Sequence, residues 1–135
     1  MEITGHCLCG AITYRCDAEP VLTGVCHCTD CQRQTGTASS VVVAVPAGSL
    51  KVAGEMASFT TVGDVHGTET NRFFCSNCGS PIVSRIVARP DLEFIKAGTL
   101  DDTSWLRPTV EFFGRSAQAW EPEVPGATRL DTTRS

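Results

Sequence analysis

Apolar positions along this chain fall in short runs dominated by β-branched residues. Val41-Val42-Val43-Ala44-Val45, Ile82-Val83-Ser84-Arg85-Ile86-Val87 and Leu92-Glu93-Phe94-Ile95-Lys96-Ala97 are the clearest. Gly, Pro, Asp or Asn interrupts them every ~8–12 residues, the spacing of strands and turns in an all-β domain. One helical turn stands out: Thr29 is placed to N-cap a short segment from Asp30 to Gln34, which Gly36 stops. A second short turn is predicted after Asp101-Asp102-Thr103-Ser104, ending before Pro108. After Trp120 the pattern changes. Residues 121–135 hold two prolines, scattered charges and few apolar positions, and read as a loose C-terminal tail behind a domain of residues 1–120.

The 135 residues suffice for one domain, which buries roughly 68% of the surface its unfolded chain exposes. Only 7% of residues are aromatic, so the core is light in large side chains and something besides burial is expected to help hold it. The net charge of −4, with no basic cluster, excludes a phosphate-binding face and so nucleic acid as a partner. It also excludes an anionic membrane surface. No apolar run approaches the length of a membrane span, and the first residues lack the basic start and apolar stretch of a secretory leader. A cytoplasmic protein with reduced thiols is expected.

In that setting eight cysteines point to metal or thiol chemistry rather than to disulfides. Seven are grouped. Cys7 and Cys9 form C-x-C; Cys26, Cys28 and Cys31 form C-x-C-x-x-C; Cys75 and Cys78 form C-x-x-C followed by Gly79. A C-x-x-C turn folds back so that both sulfurs face one point, and the glycine permits the left-handed turn that aims amides at them. A C-x-C pair can also bite one ion, because alternate side chains of an extended segment point the same way. Two pairs supply the four sulfurs of a closed zinc site, and the remaining trio supplies three ligands with a fourth position open. A different partition, with Cys28 and Cys31 joining Cys75 and Cys78 as a zinc ribbon, is also compatible with the spacing. A redox C-x-x-C would need a βαβ context that the strand pattern does not supply.

Three segments carry a family resemblance. They are Gly5-His6-Cys7-Leu8-Cys9-Gly10-Ala11-Ile12-Thr13-Tyr14, Cys26-His27-Cys28-Thr29-Asp30-Cys31-Gln32-Arg33-Gln34-Thr35-Gly36, and Arg72-Phe73-Phe74-Cys75-Ser76-Asn77-Cys78-Gly79-Ser80-Pro81. The chain resembles the glutathione-dependent formaldehyde-activating enzymes, whose domain is shared with centromere protein V. Lys96 to Asp102, Pro108 and Trp120 look like the trailing pattern of that family. The resemblance implies a β-tent of antiparallel sheets and two zinc ions per chain. Cys7, Cys9, Cys75 and Cys78 would hold a structural zinc, and Cys26, Cys28 and Cys31 a catalytic one. The implied activity is a carbon–sulfur lyase reaction on thiol–aldehyde adducts, with glutathione and formaldehyde as partners.

The remaining chemistry-bearing residues read more modestly. Arg33, Gln34 and Thr35 follow the trio and can line a pocket for a glutathione carboxylate, with Arg33 the contact to expect. His27, set between two ligands, is expected to point away from the metal, and no His–Asp pairing is evident. Cys16 matches no ligand spacing and reads as a buried free thiol. Trp105 and Trp120 read as core. Lys96, Asp101 and Asp102 read as a strand end and its turn. A non-catalytic, zinc-stabilised binding module is the competing reading of the whole chain.

Overall fold

The computed structural model describes residues 1–133. Eleven strands run in chain order: β1 Ile3–His6, β2 Thr13–Cys16, β3 Leu22–Cys26, β4 Ser40–Pro46, β5 Leu50–Ala53, β6 Met56–Val62, β7 Glu69–Cys75, β8 Pro81–Ile86, β9 Leu92–Lys96, β10 Val110–Phe112 and β11 Thr128–Arg129. The helix α1 spans Thr29–Thr35. The architecture is mostly β, as the run lengths predict. Strands β1-β2-β5 form a small sheet, and β11-β10-β3-β4-β9-β8-β7-β6 form a large one. Pairing is antiparallel except at one edge, where β10 runs parallel to both β3 and β11. Among the described residues no helix is long and apolar enough to cross a membrane.

Register sorts the large sheet into two unlike faces. Side chains alternate along a strand, so cross-strand partners share a face. Val43 pairs with Ile95, and Ile95 with Val83. These three, with Val45, are fully buried against Ile3, Tyr14 and Cys16 of the small sheet and Leu50 of β5, which is the core. The opposite face is polar although much of it is buried. Cys26 pairs with Ser40, Val42 with Lys96, and Arg72 with Ser84. Ser40, Arg72, Ser84 and Lys96 are each under a tenth exposed. Burying a polar group is costly unless it is paired; Ser40, Arg72 and Lys96 find partners beside the three-cysteine cluster, while Ser84 Oγ has none among the described residues.

Two local expectations shift, the N-cap of α1 and the packing of Trp120. The N-cap of α1 is Cys28 rather than Thr29: its Sγ accepts from Cys31 N–H at 3.3 Å. A cysteine does the work usually given to Ser or Thr because it also belongs to the trio. At the other end Gly36 takes φ 67°, and its N–H donates to Gln32 O, as predicted. Within the segment set apart as 121–135, Thr128–Arg129 form β11 against β10, and Phe113 N–H donates to Thr132 O. The last two residues of that segment lie outside the described ones. Trp105 packs on the core, whereas Trp120 stands exposed on the surface, against expectation.

Candidate metal centres

The fold gathers seven of the eight cysteines into two clusters, four plus three, and buries Cys16 in the core. The first takes Cys7 and Cys9 from the β1–β2 turn, Cys75 from the end of β7, and Cys78 from the turn that follows. All four sulfurs lie within 4.8 Å of one another. Tetrahedral zinc with Zn–S near ~2.3 Å separates its sulfurs by about 3.8 Å. Cys7–Cys9 lie at 3.6 Å and Cys9–Cys75 at 3.8 Å, so the donor set fits such an ion. The zinc-ribbon partition is thereby overturned: Cys28 and Cys31 sit with Cys26, not with Cys75 and Cys78.

Main-chain amides surround this cluster. Cys7 Sγ accepts from Ile12 N–H at 3.2 Å, and Cys9 Sγ from Ala11 N–H at 3.4 Å. Cys75 Sγ accepts from the N–H groups of Asn77 and Cys78, both at 3.4 Å. Gly79, at φ 79°, supplies the left-handed residue this turn needs. Ser80 Oγ lies 3.2 Å from Cys78 Sγ and accepts from Leu8 N–H, which ties the two turns together. The Ser80 hydroxyl and N–H, with Cys9 N–H, pull the Cys78 thiol down to about 5. A thiol so disposed is ready to bind metal as thiolate.

The second cluster is built differently. Cys26 ends β3, and Cys28 and Cys31 lie on the cap and first turn of α1. The three sulfurs lie within 4.8 Å of one another, and no histidine or carboxylate of the described residues joins them. Arg72 Nη1 approaches Cys31 Sγ at 3.7 Å, while its Nε donates to Thr61 Oγ1 at 3.1 Å and Nη1 to Gln34 Oε1 at 3.1 Å. Lys96 Nζ donates to Ser40 Oγ at 2.8 Å, and Ser40 is the cross-strand partner of Cys26. The thiols of Cys26 and Cys28, then Lys96 and Arg72, hold the Cys31 thiol down to about 2, against the effect of burial. Cys26 moves the opposite way: crowding by Cys28 and Cys31, then burial, pushes its thiol up. Without metal the trio favours one negative charge; a bound cation would release the other protons.

His27 does point away from the sulfurs, as its position between two of them predicts. Its burial and partners were not foreseen. Nε2 donates to Glu111 Oε1 at 2.7 Å, and both side chains are 1% exposed. Nδ1 lies 3.4 Å from Glu121 Oε2. Arg129 donates to Glu111 Oε1 and Val124 N–H to Oε2. Gln32, on α1, donates to His27 O and Ser116 O. The segment bearing the three cysteines is thus bolted to the parallel edge of the sheet. The sequence shows no His–acid pairing, yet two are hydrogen-bonded among the described residues: His27–Glu111, and His6–Asp101 at 2.6 Å. Both partners are far apart in the chain, which hides them from local inspection.

Beside the trio lies an open groove of about 480 Å³, lined in part by Asp30, Arg33 and Gln34 of α1 and by Phe59, Arg72 and Phe74 of the sheet. Arg33 is therefore on the wall where a charged substrate group can be met. Gln34 and Arg72 link that wall to Cys31. Lys96 and Arg72 were the misses of the sequence reading. Lys96 passed for a strand end, and Arg72 carried no assigned role.

Comparison with curated proteins finds no match. A crystal structure of a Rhodobacter sphaeroides protein, a structural-genomics target, has a similar fold: TM-score 0.57 at 20% identity, covering 80% of this chain and 92% of that one. The model of the family described as glutathione-dependent formaldehyde-activating enzyme matches residues 2–116, a span holding all seven clustered cysteines. With that match over most of its length, the chain belongs to the glutathione-dependent formaldehyde-activating enzyme family.

Proposed function

We propose that this protein is a zinc-dependent carbon–sulfur lyase for thiol–aldehyde adducts, joining glutathione to formaldehyde as S-hydroxymethylglutathione or catalysing a closely related reaction. In this reading Cys7, Cys9, Cys75 and Cys78 hold a structural zinc, and Cys26, Cys28 and Cys31 hold the catalytic one. The observation that carries it is a three-sulfur cluster with no fourth ligand among the described residues, next to a groove whose wall includes Asp30, Gln34 and Arg72. Zinc at that cluster would keep an incoming thiol deprotonated at neutral pH.

The chain's own residues do the rest. The groove receives the body of the thiol, and Arg33 meets a carboxylate on it. Phe59 and Phe74 give that groove apolar walls against which the body of the thiol can be held while the aldehyde carbon is brought to its sulfur. The sulfur lone pair forms the C–S bond as the C=O π bond opens. The proton lost by the thiol ends on the new hydroxyl, so no net acid or base is consumed. The reverse direction cleaves the same C–S bond. Such chemistry needs reduced cysteines, which suits a cytoplasmic setting.

Native mass spectrometry tests this reading. Two zinc ions per chain are expected, with a glutathione adduct that disappears in Cys26→Ser while the other zinc stays. One zinc per chain, or glutathione held unchanged in Cys26→Ser, would favour a zinc-stabilised binding module instead.

A further inference from the structure

A zinc ion with three thiolates carries a net charge of −1. Taking a fourth thiolate makes it −2, and burying that charge alone would be costly. An isolated trio should therefore prefer a neutral ligand. This one is not isolated. Register places Cys26, Ser40, Lys96, Ser84 and Arg72 on one face of the large sheet. Arg72 and Lys96 are each 6% exposed, and neither has a carboxylate among its hydrogen-bond partners in the described residues. One touches Cys31 Sγ; the other is held through Ser40 beside Cys26. Asp30, half-buried on the groove wall, also acts on Arg72, but less than the sulfurs of Cys31 and Cys28 do.

Two buried cations exceed the charge of the metal trio by one and equal the charge of the trio plus one outside thiolate. We infer that Arg72 and Lys96 are positioning residues that make the open coordination place selective for an anionic sulfur over a neutral ligand. The inference rests on the reading that the trio holds a metal with one open place. Their hydrogen bonds to Thr61, Gln34 and Ser40 keep both charges aimed at the cluster rather than at solvent. Lysine at 72 would retain the charge but lose the fork that reaches Thr61 and Gln34 together.

Cobalt-substituted protein gives a test that does not depend on turnover, because sulfur-to-cobalt absorption reports the ligands directly. Wild-type protein is titrated with 2-mercaptoethanol, whose body is uncharged, with the anion thiocyanate, and with imidazole. Arg72→Gln, Arg72→Lys and Lys96→Gln are titrated alongside. Removing either charge is expected to weaken 2-mercaptoethanol binding by about tenfold to a hundredfold. Imidazole binding should change by less than about twofold, and Arg72→Lys, which keeps the charge without the fork, should recover part of the loss. Equal losses for thiolate and imidazole would mean a scaffold role only and overturn the inference. Should a variant fail to fold, wild-type protein still decides: thiocyanate must bind more tightly than imidazole, and the reverse order sinks the idea. If wild-type protein takes up no ligand of any kind, the open-site reading fails instead, a result distinct from both.

Discussion

The two cysteine clusters use the same ligand chemistry on different supports. The four-sulfur cluster draws on segments 66 residues apart in the chain, Cys9 to Cys75, and surrounds its sulfurs with backbone amides. The three-sulfur cluster takes all its ligands from six residues and surrounds them with charged side chains of a distant sheet face. A crosslink between remote segments removes much conformational freedom from the unfolded chain; one within six residues removes little. Backbone amides can stabilise thiolates but cannot be tuned residue by residue, whereas Arg and Lys can. The first cluster is thus suited to holding the fold, and the second to binding and chemistry.

The sharpest way to break that contrast is to remove one sulfur from each. Cys75→Ser should abolish metal at the four-sulfur cluster and lower Tm by more than about 10 °C, or leave no cooperative transition. Cys28→Ser should lose metal at the trio and with it thiol binding, yet keep a Tm close to wild type. Serine is an effective N-cap, so this variant leaves α1 capped and isolates the metal effect. Thermal melts by circular dichroism, with zinc counted on the same samples, decide the matter. Equal destabilisation by the two variants would erase the division of labour.

A smaller effect is expected behind the trio. Glu111 is buried, with His27, Arg129 and Val124 N–H all donating to it. Glu111→Ala strands those donors and should cost about 3 kcal/mol in denaturant unfolding, the low end for a broken buried pair because Arg129 is partly exposed. The pH dependence follows the same contacts. Burial raises the Glu111 carboxyl, but Arg129, His27 and Val124 outweigh it and hold it below its usual range. The stability it provides is therefore complete above the ordinary carboxylate pKa and is lost as pH falls through its lowered value. Wild-type protein should show this acid loss, and Glu111→Ala should lack it. A variant with unchanged acid sensitivity would assign the loss to other groups.

How much of this is visible in the sequence follows from the same contrast. The C-x-C and C-x-x-C spacings are local, so the seven clustered cysteines could be read directly, but spacing left two partitions open until the fold brought Cys7 and Cys9 to Cys75 and Cys78. Gly36 and Gly79 could be read as well, because a left-handed turn leaves a local mark. The supports of the trio are not local. Lys96 resembles any strand end until β4 aligns Val42 with it and brings Ser40 alongside Cys26. Glu111 reaches His27 only because β10 pairs parallel to β3, a long-range connection that no run of residues announces. Cys28 capping α1 was missed because a hydroxyl stood one position later at Thr29.

The gentlest probe compares the two left-handed glycines. Gly36 ends α1 at φ 67° and Gly79 closes the C-x-x-C turn at φ 79°. A Cβ at either would meet nothing within 4 Å, so alanine adds no clash and its cost is purely conformational, about 1 kcal/mol. The two costs should surface in different places. Gly79 N–H donates to Cys75 O across the turn that carries two ligands, so strain there loosens the ligands themselves. Gly79→Ala should speed zinc transfer from the four-sulfur cluster to a chelator severalfold. Gly36 N–H donates to Gln32 O, and its loss frays the end of α1, beyond Cys31. Gly36→Ala should lower Tm slightly and leave that transfer rate unchanged. Asparagine, which tolerates the left-handed region better than alanine, should recover part of each effect. If both alanine variants released zinc from the four-sulfur cluster at the same increased rate, the clusters would be mechanically coupled, and their separation into scaffold and reaction site would be wrong.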